Sequence, residues 1–260
     1  MILGISYNIF DGEELLKFSV KTMRPCVNYI SVVYQDLSNL GNPISESIFP
    51  LLSELKRDGL IDEIIKYVPN LALKGHGNEV AKRNIGLESC INAGCSHFMT
   101  MDCDEFYKND EFEHAKNVII SEGYETTACQ MKTYYKTPEY IITPPETYYV
   151  PFISKLDSRR FGMGISWPSP ISADPTRRLK SDKLFAFSRE KLEMHHMSYV
   201  RTNIRAKLNN SSASVNWKSR IEEMAKYHDD WVPGKKALLA GSVERFYDTQ
   251  KILNHFEINI

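Results

Sequence analysis

The 260-residue chain has no excess of charge of either sign, with 32 Lys and Arg against 33 Asp and Glu. No global field therefore draws it to DNA, RNA or an anionic membrane, and an anionic ligand has to be held by local groups. Paired cysteines are missing too. Cys26, Cys90, Cys95, Cys103 and Cys129 are odd in number and contain no CxxC, which argues against a disulfide framework or a zinc knuckle and for reduced thiols in a cytoplasm. The opening MILGISYNIFDGEELL carries no basic leader, and its apolar run is too short for a signal segment or a membrane span. The expectation is a cytoplasmic protein with no transmembrane segment and no nucleic-acid partner; peripheral membrane contact stays open. Repeats, low-complexity runs and a clear interdomain linker are also lacking. A chain of this length forms one large domain, or one with an appended subdomain, around a substantial core.

What is present is an alternation of short β-branched runs with segments of helical period over the first hundred residues, the sign of a mostly parallel sheet. ILGISY (2–7), YISVVY (29–34), EIIKYV (63–68) and HFMTM (97–101) read as strands. GEELLKFSVKTM and ISESIFPLLSELKRDG read as helices, and a third is capped by Asn78, runs to about Ala93 and is stopped by Gly94. Beyond residue 105 the character changes. FEHAKNVIISEG reads as a helix, and TTACQMKTYYK, TYYVPFISKL and KLFAFS as antiparallel strands joined by the Pro-rich PEYIITPPE and SWPSPISADP. VRTNIRAKLNN and VNWKSRIEEMAKYH look helical, and KILNHFEI returns as a strand. The organisation expected is a nucleotide-sugar-binding half, residues 1–105, and an acceptor-binding mixed half with C-terminal helices, residues 106–260, within one catalytic domain.

The stretch FMTMDCDEFY raises the functional question, because a run that belongs inside a sheet ends in Asp102, Asp104 and Glu105. In open α/β sheets ligands collect at the carboxyl ends of strands, where loops leave a crevice and helix N-termini point into it. Two carboxylates one residue apart can both turn into that crevice when the strand breaks, and they offer hard oxygen ligands suited to Mg²⁺ or Mn²⁺. A bare DxD occurs roughly once by chance in a chain this long. Its position after a buried strand, in the half with βαβ character, is what gives it weight.

With ISYNIFDGEELL at the start, VVYQDLSN after the second strand, GNEVAKRNIGLESCINAG before the fourth and then MTMDCDEFY, the sequence resembles the GT-A-fold nucleotide-sugar glycosyltransferases, family-2-like enzymes above all. The resemblance covers roughly residues 1–108 and reappears near 174–201. It implies a GT-A (Rossmann-like) α/β fold with a mostly parallel sheet, helices on both faces and a mixed antiparallel and helical C-terminal half. It further implies a Mn²⁺- or Mg²⁺-dependent transfer of sugar from a nucleotide-diphospho sugar, UDP-sugar favoured, to a hydroxyl of a glycan or lipid-linked acceptor, with inversion. In that family the last Asp of the motif, here Asp104, binds the metal directly, and the first, Asp102, contacts ribose or the metal's waters.

The resemblance also points to Arg83 and Asn84 facing the nucleotide, with Arg83 neutralising a phosphate. Asn84 lies on the stripe Val80, Leu87, Ile91, so it either meets the ligand or ties its helix to a neighbouring loop. Tyr7 and Asn8, ending the first strand, occupy the position beside the base, although a tyrosine there is also an ordinary core residue. Where the family carries paired aspartates after the second strand, this chain has Gln35 and Asp36; Asp36 is the candidate for base recognition, with the register open by one residue.

In EMHHMSYVR adjacent histidines point to opposite faces of a strand, so one of the two enters the cleft. GT-A enzymes often complete the metal site with a late-strand histidine followed closely by serine; the spacing to Ser198 selects His196. Arg201 is placed to reach the diphosphate, and Arg177 or Arg178 to meet phosphate or acceptor. An inverting transfer needs a carboxylate to accept the hydroxyl proton. Asp174 and Glu193 are the candidates, Asp174 preferred because its loop precedes two arginines. The aromatics of TYYKTPEYIITPPETYYVPF, with Trp167 and Trp217, suit either sugar stacking or a buried sheet face. Two other readings compete: a haloacid-dehalogenase-type phosphatase using the first Asp as nucleophile, and a non-catalytic nucleotide- or sugar-binding module.

Overall fold

The computed structural model describes residues 1–73, 75–243 and 245–260. Four strands, β1 (Leu3–Ile9), β2 (Tyr29–Tyr34), β3 (Glu63–Lys66) and β4 (His97–Asp102), lie side by side in the order β3-β2-β1-β4, all parallel. β1 and β4 are buried on both faces, as the near-continuous apolar runs require in a parallel sheet covered by helices. Those helices are α1 (Glu13–Met23), α2 (Ile48–Arg57) and α3 (Gly75–Asn92). α2 buries Ile48, Leu52 and Leu55, a spacing of four and three that sets one stripe against the sheet.

The sheet continues past β4 without a break, now antiparallel. After β5 (Glu105–Phe106) and α4 (Asn109–Glu122) come β6 (Thr126–Tyr135), β7 (Thr137–Thr143) and β8 (Tyr149–Lys155). β8 pairs with β4 and with β6, β6 turns into β7 at Lys136, and β12 (Arg245–Lys251) with β11 (Ala237–Leu239) closes that edge. β9 (Leu184–Ala186) and β10 (Glu193–Tyr199) both run parallel to β6. β10 also pairs antiparallel with β5, putting His196 opposite Glu105. α5 (Ile204–Asn210) and α6 (Ile221–Asp229) follow. The parallel half and its continuation are the arrangement expected from the sequence; five details differ.

α3 begins at Gly75, and Asn78 lies within it instead of capping it. Its amide accepts from Tyr67 Oη (2.6 Å) and Asn70 N (2.8 Å) and donates to Asn70 O (3.0 Å), so it ties down the preceding loop. PEYIITPPE is half strand: β7 occupies its first residues because β6 needs a partner on its far side. β9 runs parallel to β6, not antiparallel, the long irregular passage from 156 to 183 having carried the chain back to the same end. The last strand lies upstream of KILNHFEI. Its ladder stops after Ile252 N donates to Glu139 O (2.7 Å), where the partner strand reaches Pro138, which has no N–H to offer. The inward face of α3 is Asn78, Lys82, Arg83, Gly86, Leu87 and Cys90, one step round from the stripe through Val80 and Asn84.

Many aromatic residues of the second half pack in cores, while Tyr140, Tyr148 and Tyr149 are half-buried and Phe246 is exposed. Tyr135, Tyr199, Trp217, Trp231, Ile221 and Met224 form one cluster beneath α5 and α6. Tyr134 and Phe152 are buried elsewhere, and Trp167 donates to Leu179 O (3.0 Å) from a buried position.

Candidate active site

At the carboxyl ends of β1 and β4 lies a cleft of about 200 Å³. β1 supplies Asn8, whose Nδ2 donates to Thr100 Oγ1 (3.2 Å) while its Oδ1 is buried without a partner among the described residues. β4 supplies Asp102. α3 reaches in with Lys82 and Arg83, and α5, with the segment just before it, contributes Lys207 and Arg201.

The two aspartates differ in their surroundings. Asp102, about a third exposed, accepts from Arg83 Nη1 (3.4 Å) through one oxygen and from Arg177 Nη2 through the other. Burial alone would raise its pKa, but Arg177 and then Arg83 carry it below the usual carboxylate value. Asp104 is buried. Arg201 Nη2 donates to its Oδ2 at 2.5 Å, and His196 Nε2 stands 3.8 Å from its Oδ1. Desolvation is again overcome, by Arg201 first and His196 second, and its pKa is held far below the ordinary value.

Arg201 fits only because Gly12 lies beside it. Gly12 has φ +80°, and a Cβ there would stand 1.5 Å from Arg201 Nη1.

Glu105, third of the acidic residues, faces inward. Its Oε2 accepts from Asp102 N (3.2 Å), closing the turn, and its Oε1 lies 2.6 Å from Arg177 Nη1. Burial raises its pKa to about 7 despite Arg177, with Asp102 and Asp104 adding to the rise. Arg177 thus sits among Asp102, Glu105 and, at 3.7 Å, Asp174. It is a buried staple between the β4 end and the 3₁₀ turn Pro175–Arg177. Arg178 is bonded to the carbonyls of Ala173 and Ile165 (3.2 Å for the latter).

The other sequence candidates divide. His196 faces Asp104, whereas His195 points to the opposite side of β10, bonded to Tyr134 Oη (2.7 Å) and packed on Phe256, with burial holding its pKa down near 3. Asp174 accepts from Thr176 N and Oγ1 (both 2.8 Å) through Oδ1. Glu193 lies on the His195 face, paired with Lys132 and with Arg189 (2.6 Å), away from the cleft. Tyr7 is buried, bonded to Ser19 Oγ (3.0 Å), with its pKa raised by desolvation; it belongs to the core.

Asp36 pairs with Lys66 outside the cleft, and its neighbour Gln35 lines the cleft instead. Asn84 exchanges two bonds with the backbone of Phe161 (3.0 and 2.9 Å) and borders a separate groove on the far side of α3. It is the helix-to-loop tie.

Lys82 and Lys207 are cleft residues that the sequence reading did not assign. Lys82 was visible as a basic residue four positions from Asn78 and four from Gly86, a spacing that shares one helix face; Lys207 carried no comparable signal.

Among the described residues no three His, Cys, Asp or Glu groups gather to hold a metal ion. Asp104 Oδ1 and His196 Nε2, 3.8 Å apart, are a two-donor set that would have to draw together to the roughly 3 Å between adjacent octahedral ligands to share a divalent cation completed by ligand oxygens. Asp102, with a guanidinium on each oxygen, is not a free nucleophile of the phosphatase kind. No helix among the described residues is long and apolar enough to cross a membrane.

No family model matches the chain, and no curated protein matches it. Among solved structures, the chain is similar to S. aureus TarS 1-349 at 12% identity, covering 87% of this chain and 72% of that one with a TM-score of 0.49. For S. aureus TarS 1-349 in complex with UDP-GlcNAc the values are 11%, 88%, 73% and 0.49. For mannose-1-phosphate geranyltransferase from Thermus thermophilus they are 14%, 60%, 51% and 0.29. At these values the chemistry of the cleft has to be argued from its own residues.

Proposed function

We propose that this protein is a glycosyltransferase that takes sugar from a nucleotide-diphospho sugar, UDP-sugar favoured, and delivers it with inversion to a hydroxyl of a glycan or lipid-linked acceptor in the cytoplasm. The observation that carries the reading is the convergence of Asp102, Asp104, Lys82, Arg83, Arg201 and Lys207 on one cleft at the carboxyl ends of parallel strands. Such a cleft accepts an anion by local charge in a chain with no global field.

Asp104 and His196 are the residues to hold Mn²⁺ or Mg²⁺, which when bound supplies positive charge to the departing diphosphate. Arg83 and Arg177 fix Asp102 from both sides, so that its carboxylate keeps one orientation toward the ribose. Asn8 and Gln35 line the cleft and are the residues we assign to the base; Asn8 Oδ1 has no partner among the described residues, whereas Gln35 Nε2 is bonded to Leu37 O (2.7 Å) and Asn39 Oδ1 (3.1 Å). Asp174, with Oδ1 bonded to Thr176 and Oδ2 3.7 Å from Arg177 Nε, is the carboxylate we assign to take the proton of the acceptor hydroxyl.

Incubation with UDP-, GDP-, CDP- and dTDP-sugars plus Mn²⁺, with binding and nucleotide release both followed, tests the reading. Slow donor hydrolysis is expected, and Asp174→Asn is expected to retain donor binding while losing turnover by about a hundredfold or more. Binding without any release would instead favour a non-catalytic module, and phosphate release from simple monoesters a phosphatase.

A further inference from the structure

The cations in and around the cleft fall into two groups. Arg83, Arg177 and Arg201 are each paired with a carboxylate of the Asp102–Glu105 turn. Lys82 and Lys207 form no ion pair with any carboxylate among the described residues. Lys82 is buried and donates to the Ile9 carbonyl (2.6 Å). Lys207, half-buried, donates to Ser198 Oγ, and its head stands 5.7 Å from the centre of the Tyr199 ring. An ammonium carries three donors, and each of these has one hydrogen-bond partner.

Burying an ammonium without a direct ion pair is costly; the carboxylates that act on these two, Asp102 and Glu79 on Lys82 and Asp104 and Asp11 on Lys207, do so without a salt bridge to either. Desolvation lowers the pKa of both, so that an anion entering the cleft would favour their charged forms. Both line the same cleft, one from α3 and the other from α5.

We propose that Lys82 and Lys207 are the diphosphate-binding residues of this site, a two-lysine clamp that neutralises the leaving group, while the arginines serve to hold the carboxylates. The inference rests on the nucleotide-sugar reading and assigns to two lysines the role that sequence gave to Arg83 and Arg201. A lysine is suited to it, since its compact charge and rotatable donors follow a phosphate oxygen as charge builds on it.

Lys82→Met and Lys207→Met in the full chain, titrated calorimetrically with UDP and with inorganic pyrophosphate, test the clamp. Each substitution is expected to weaken both ligands by about tenfold or more. Each is also expected to raise the thermal midpoint of the ligand-free protein, which a lysine with a merely structural role would lower. Reductive methylation of the wild-type protein, mapped by mass spectrometry, gives a reading free of folding effects: UDP should protect both lysines. Wild-type protein that binds UDP while both variants bind it equally well, or while both lysines stay fully reactive, overturns the clamp and leaves the donor reading standing. Wild-type protein that binds no nucleoside diphosphate overturns both.

Discussion

Arg177 is the residue on which the acidic turn depends. Its guanidinium contacts Asp102 and Glu105 with only 6% of its side chain exposed. Removing one partner of a buried charge cluster leaves the others uncompensated, which costs about 3–5 kcal/mol. Arg177→Met is therefore expected to lower the urea midpoint by that equivalent without changing the slope of the transition.

Lys82 makes the opposite case. Its pKa falls from an ordinary 10.5 to about 7 on burial. Between those values the unfolded chain binds the proton and the folded chain does not, so stability rises with pH across that window and the burial penalty is felt in full below it. The stability gained by Lys82→Met should accordingly be largest at about pH 6 and shrink towards pH 10, as unfolding at a series of pH values would reveal; a gain independent of pH would contradict the shift.

At the scale of elements, α3 positions Lys82 and Arg83 because it lies close upon β1. Gly86 makes that approach feasible: a Cβ there would stand 2.0 Å from Ser6 Oγ and 2.5 Å from Ser6 Cβ. Gly86→Ala is expected to destabilise the fold by about 1–3 kcal/mol through overpacking and to weaken nucleotide binding by lifting the helix off the sheet. Adding Ser6→Gly removes the obstructing group and should restore part of both, read by thermal denaturation and UDP titration.

β10 works similarly for the other wall. Its antiparallel pairing with β5 fixes His196 opposite Glu105, and alternation sends His195 to the Tyr134 side. Strand period made that split legible in sequence, and the spacing to Ser198 selected His196; the partner strand is what fixes its place opposite Glu105.

For the whole molecule, the β4 end is completed by residues far along the chain: Arg177, His196, Arg201 and Lys207 all come from the second half. The sheet also crosses residue 105 unbroken, since β8 pairs with β4. A fragment of residues 1–108 would leave an open β4 edge, Asp104 and Glu105 without their arginines and Asp102 with Arg83 alone. It is expected to be aggregation-prone and unable to bind UDP, and size-exclusion chromatography with UDP titration would check this; a monomeric fragment that binds would show the halves to be separable.

The parallel strands and the acidic turn after β4 were legible because both depend on local period and on the ends of apolar runs, which a linear sequence displays, whereas Arg83 was named on resemblance. The faces of α3 were read one step off because its cleft end buries cations, which a search for an apolar stripe passes over. Asp36 and Asn84 were assigned to the ligand on resemblance, yet their partners Lys66 and Phe161 are chosen by neighbours in space. Sequence by itself determined that a parallel sheet delivers carboxylates to its rim. Only the tertiary structure decided which cations those carboxylates neutralise and which remain for a ligand, because ion pairing is set by distances between segments that sequence separation does not encode.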